Sequence, residues 1–138
     1  MLGSDESDDP SELLEAEIAR LGARLRSMSL ARLEAPMTSE TTESRAQAAH
    51  RLACDLAGEA RRLADLGRPT DRSGEAPPEP TADPPYLGPM YAGDQVVVLG
   101  RELLRTTRAA LEAGEDPVAV SESLAWGVRR CRRLRLGL

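Results

Sequence analysis

Pro10-Ser11-Glu12-Leu13-Leu14-Glu15-Ala16-Glu17-Ile18-Ala19-Arg20-Leu21-Gly22-Ala23-Arg24-Leu25-Arg26-Ser27-Met28 is the stretch that decides the fold class. Leu14, Ile18, Leu21, Leu25 and Met28 recur at spacings of 4, 3, 4 and 3, the one-sided repeat of a helix that packs along a seam. Asp9 stands where an N-cap belongs, and Pro10 suits the first helical position because its missing N–H would find no partner there anyway. The pattern runs on toward Leu33 before Pro36 stops it. The spacing therefore predicts one helix over 10–34, about 35–40 Å long at 1.5 Å per residue.

Moving outward, Thr38 to Thr42 offers several caps for a second helix through Leu52, Leu56, Leu63 and Leu66. Ala46, Ala49, Ala53, Ala57, Ala60 and Ala64 lie between these leucines and would let a neighbouring helix approach closely. Gly67 followed by Pro69 is its stop. Residues 68–93 contain seven prolines and read as a linker stiffened toward polyproline II. Tyr86, Leu87, Met90 and Tyr91 cluster at its end. They are expected to dock on the helical core, the alternative being an exposed Pro-aromatic recognition segment.

A third helix is expected from the cap Asp94 to about Ala113, with Gly114 as terminator and Val96, Leu99, Leu103, Thr107 and Ala110 as its seam. Asp116-Pro117 repeats the cap-and-proline start. The last helix then carries Val120, Leu124, Val128, Cys131 and Leu134 on one side. The expected fold is all-α: two antiparallel helical hairpins, 10–67 and 94–138, forming a four-helix bundle in a single domain. The Pro-rich linker 68–93 joins them and an acidic, disordered tail, 1–9, precedes them. Residues 1–17 carry seven acids and no base, and residues 124–138 carry five arginines and no acid. An up-down-up-down bundle would bring these two blocks to the same end, each also complementing its own helix dipole.

The alphabet narrows the chemistry. In 138 residues with a net charge of −5 there is no Lys, no Asn, no Phe and one His. A phosphate-binding P-loop and a Schiff-base enzyme both require lysine, and a protein-kinase site requires lysine and asparagine. No G-x-G-x-x-G occurs. No apolar run approaches the roughly 20 residues of a membrane span, and the acidic N-terminus is the reverse of a signal peptide's. A cytoplasmic protein is expected, with Cys54 and Cys131 as free thiols buried like small hydrophobes.

Three constellations remain. His50 and Cys54 lie four apart on one helical face, and Cys131 would complete a His-Cys-Cys set for zinc, with Asp55 or Glu59 as fourth ligand. Core packing of all three explains the same spacing, and no metal or other cofactor is expected. Trp126, about 120° from the seam of its helix, is ringed by Arg129, Arg130 and Arg133. The indole is either a cation–π cover on the bundle's side or an anchor for a partner. Finally, residues 120–135 roughly fit a helix-turn-helix with a turn near Ala125–Gly127, in which Arg129, Arg130, Arg132 and Arg133 would face nucleic acid. The expected function is that of a non-enzymatic helical interaction and assembly module. It would self-associate as a homodimer or take a helical protein partner, with DNA binding as the alternative and no membrane contact.

Overall fold

The computed structural model describes residues 9–66 and 83–138. Residues 1–8 of the acidic tail, the expected stop at Gly67 and Pro69, and residues 68–82 of the linker lie outside those residues. The class is all-α, and among the described residues there is no strand, only an isolated bridge between Pro36 and Ser44. None of the helices is long and apolar enough to cross a membrane.

Helix α1 spans Pro10–Arg26, with the Asp9 carboxylate accepting from the Ser11 amide at 3.0 Å. It is shorter than its pattern predicts. Ser27 turns its hydroxyl back onto the Arg24 carbonyl at 2.8 Å, and Ser29 caps a separate short helix α2, Leu30–Glu34, by accepting from the Arg32 amide. Serine hydroxyls compete for backbone groups in this way, and two of them around Met28 break the rod. Met28 and Leu33 stay buried nonetheless, so the seam survives although the helix does not.

Helix α3, Arg45–Leu66, begins later than the Thr38–Thr42 window. Its start is a capping box. The Ser44 hydroxyl accepts from the Gln47 amide at 3.0 Å, and the Gln47 side chain accepts from the Ser44 amide at 2.9 Å. Helix α4, Ala92–Glu112, starts ahead of Asp94, seeded by a 3-10 turn over Pro89–Tyr91. Asp94 is therefore no cap; it pairs instead with Arg26 of α1 at 2.8 Å. The α4 C-terminus ends as the sequence predicts. Gly114 takes φ +88°, the Glu115 amide donates to Ala110 and the Gly114 amide to Leu111, which is a Schellman motif. Helix α5, Pro117–Gly137, is continuous through Ala125–Gly127, so residues 120–135 contain no helix-turn-helix.

Of the two expected hairpins only the second, α4 with α5, is kept; α1 and α3 do not pair. A Cβ on Gly100 would lie 2.5 Å from Ile18, one on Gly22 2.6 Å from Val97, and Gly93 faces Gly22 and Leu25. Numbers fall on α1 as they rise on α4, so those two are antiparallel. Gly127 faces Leu14 while Arg132 and Arg135 reach Glu17, so α5 runs parallel to α1. Ser123 meets Glu59, Arg130 meets Asp55 and Leu138 meets Arg45, which sets α5 antiparallel to α3. The order is thus up, down, down, up. Helix α1 packs on α4 and α5, α3 packs chiefly on α4 and more thinly on α5, α4 and α5 pack thinly as antiparallel neighbours across their short turn, and α1 and α3 form no packed pair.

The long connection after α3 allows this, because it can return the chain to the bundle end where α3 began. Its described part does so: Asp83 pairs with Arg61, and Pro84 then lies at His50, nearer the start of α3. Helices α3 and α4 consequently run side by side in the same direction. The acidic and basic blocks do not meet end to end either. Their one described meeting is lateral, at Glu17.

Candidate interaction surface

The inner face of α5 is the predicted one. Val120, Leu124, Val128, Cys131 and Leu134 are all buried, joined by Gly127 where Leu14 presses close. Desolvation pushes the Cys131 thiol up to about 12, with the Glu17 carboxylate adding to it, so this sulfur is inert packing.

The outer face is different. Trp126 is half-buried, its inner edge on the core and the Arg130 guanidinium 5.4 Å from its ring centre. Arg130 is also fastened to Asp55 of α3 at 2.5 Å. Arg132 belongs to the fold as well. Together with Arg135 it holds the Glu17 carboxylate, which is 1% exposed, at 3.0 and 3.1 Å. Burial pushes that carboxyl up, but the hydrogen bonds from Arg135 and Arg132 outweigh it and leave the group below the usual carboxylate value. Of the four arginines singled out in the sequence, Arg129 and Arg133 alone have no ion-pair partner among the described residues.

These side chains border an open groove of about 420 Å³ lined by Trp126, Arg129, Arg130, Arg132, Arg133 and Leu136. A second, about 570 Å³, continues from Arg130 and Arg133 between α3 and α5 over Leu52 and Leu134, where those helices pack thinly. Leu136, 72% exposed, escaped the sequence reading, as did Val118 at 64% and the exposed Glu122. Wheel arithmetic from Trp126 would have found them. At 100° per residue, Val118, Glu122, Trp126, Arg129, Arg133 and Leu136 fall within about 40° of one meridian, opposite the core seam.

The His50–Cys54 pair serves another purpose. His50 Nε2–H donates to the Pro84 carbonyl at 2.8 Å, with Cys54 Sγ 3.5 Å from the same nitrogen, and the Tyr86 ring meets the imidazole edge-on. Gln95 donates to the next carbonyl, Pro85, at 2.8 Å. These contacts pin residues 83–86 as a strap along α3. Burial first, then Asp83 and Asp55, push the Cys54 thiol up. Cys131 does not join the pair, and among the described residues no three His, Cys, Asp or Glu side chains gather as a metal site would require. The strap's aromatic end is pinned by its backbone while Tyr86, Leu87, Met90 and Tyr91 stay exposed, so the expected docking is only partial.

No family model, curated protein or solved structure matches this chain.

Proposed function

We propose that the protein is a non-enzymatic helical interaction module that assembles through the outer face of α5, with Trp126 as anchor and Arg129, Arg130 and Arg133 as its polar surround. The observation that carries this reading is the stripe itself: a tryptophan, two exposed aliphatics and charges with no ion-pair partner among the described residues stand on one line of a helix whose opposite face already fills the core. Aromatic and arginine anchors of this kind dominate helix-mediated contacts. A helix from a second copy, or from another protein, is the occupant that suits an open groove laid along one face of a helix.

Three described side chains of the kind covalent catalysis uses are engaged otherwise, which supports a non-enzymatic role. His50 is bound to Pro84, Cys131 is inert, and Ser123, 3% exposed, is held by Glu59 and Arg62. Duplex DNA is the competing occupant. Of the arginines it would need, Arg130 and Arg132 are already tied to Asp55 and Glu17, which favours a protein partner.

The test is the mass in solution. Light scattering at micromolar concentration should give more than one chain, and Trp126→Ala should return it to one chain with helicity intact by circular dichroism. Unchanged association in Trp126→Ala, or retention on duplex DNA that disappears with added salt, would overturn the reading.

A further inference from the structure

Resting on that reading of the α5 surface, we infer that the occupant is a second copy of this chain, docked α5 against α5 in one antiparallel register. The stripe is complementary to itself in that direction. Let a two-fold axis cross the outer face of α5 midway between positions 127 and 128, so that two facing positions sum to about 255. Glu122 then faces Arg133 of the second copy, Trp126 faces Arg129, and Val118 faces Leu136. Each of these contacts occurs twice, as an isologous dimer requires. The three matches draw on all six stripe residues at once, and the Val118 match is offset by a single residue, about 1.5 Å of rise.

A parallel arrangement has no such match. It would set Glu122 on Glu122, Arg129 on Arg129 and Arg133 on Arg133 at equal height, and like charges placed face to face oppose association. The free chain also carries a reason to pair. Arg129 and Arg133 are one helical turn apart on the same face, a like-charge i,i+4 pair that weakens an isolated helix. Neither these two arginines nor Glu122 has an ion-pair partner among the described residues. The antiparallel dimer supplies one to Arg133 and gives Arg129 the indole, whose other neighbour is Arg130 of its own chain. A single pair of helices this long is a small interface, of the class below about 1,200 Å² to which weak and transient associations belong.

Charge reversal across the register tests it, with the dimer dissociation constant measured at low salt by sedimentation. Glu122→Arg alone and Arg133→Glu alone should each weaken the dimer about tenfold or more, because each sets like charges opposite one another. The chain carrying both substitutions should recover to within about threefold of the wild type, because the pair is restored in reverse. As a second reading, an equimolar mixture of Glu122→Cys and Arg133→Cys chains should form the mixed disulfide in preference to either homodimer. Circular dichroism should show all of these variants folded, since every changed side chain is exposed. Failure of the double reversal to recover, while Trp126→Ala still dissociates the dimer, overturns the register and leaves the α5 surface standing. A dimer indifferent to Trp126→Ala overturns the surface, and a wild-type monomer at high micromolar concentration overturns the pairing.

Discussion

Glu17 shows how a single side chain can tie two helices. Its carboxylate is buried on α1, and both oxygens are taken by Arg132 and Arg135 of α5. Because its folded-state value lies below the usual 4.5, the stabilisation is fully present above that value and drains away as pH falls through the folded one. Urea titrations should show the wild type losing stability in that acidic range, with Glu17→Gln about 1–3 kcal/mol weaker at neutral pH and flatter on acidification. An identical acid profile in the variant would remove Glu17 from this role. Gly100 makes the complementary case in the apolar core. A methyl there would overlap Ile18 at 2.5 and 2.7 Å, so Gly100→Ala should cost about 1–3 kcal/mol despite alanine's better helix propensity. Adding Ile18→Val should return part of that loss. Neither residue is visible as special in the sequence. Glu17 sits within an acidic run and Gly100 within a valine-rich one, and only the partner helix gives each its meaning.

Elements show where sequence reading succeeds and where local competition defeats it. The seams of α1, α4 and α5 were legible because burial follows the 3.6 period regardless of neighbours. The stop at Gly114 and the start at Asp116-Pro117 were legible too, since positive φ and a missing N–H are properties of those residues alone. The break at Ser27–Ser29 was not, because the repeat continues across it through Met28 to Leu33 and only the serine hydroxyls reveal it. The start of α3 was missed for a related reason. Five residues offer caps, but the box at Ser44 wins because Gln47 returns a second hydrogen bond. Ser44→Ala should therefore cost about 1 kcal/mol by chemical denaturation, while Thr38→Ala and Thr42→Ala should fall within a few tenths of the wild type. Equal losses at the three sites would show that the box carries no special weight. The outer stripe of α5 was half legible: Trp126 and its arginines drew attention as residue types, whereas Val118, Glu122 and Leu136 gain significance only once α5 is known to be unbroken.

The whole molecule departs from its sequence reading in topology, because helix seams record which faces are buried and carry no record of direction. A long proline-rich connection permits either sense, and here a strap held by His50, Gln95 and Arg61 returns the chain along α3. His50→Ala should loosen that strap without touching the core. Alkylation of Cys54 should then rise several-fold at mildly alkaline pH, as the sulfur loses the burial that chiefly raises its pKa, while Cys131 stays silent until global unfolding. The direction of the helices is itself measurable. Spin labels at the exposed positions Glu12 and Glu122, in a Cys54→Ser chain diluted with unlabelled protein, should lie closer together than labels at Glu12 and Leu136. With α1 and α5 parallel, position 136 stands about 20 Å further along the bundle than 122 at 1.5 Å per residue. An up-down-up-down bundle would reverse that order, and with it the lateral pairing of Glu17 with Arg132 and Arg135. The same parallel arrangement leaves α5 lying thinly against α3, its outer stripe clear of the other described residues for a second helix to cover.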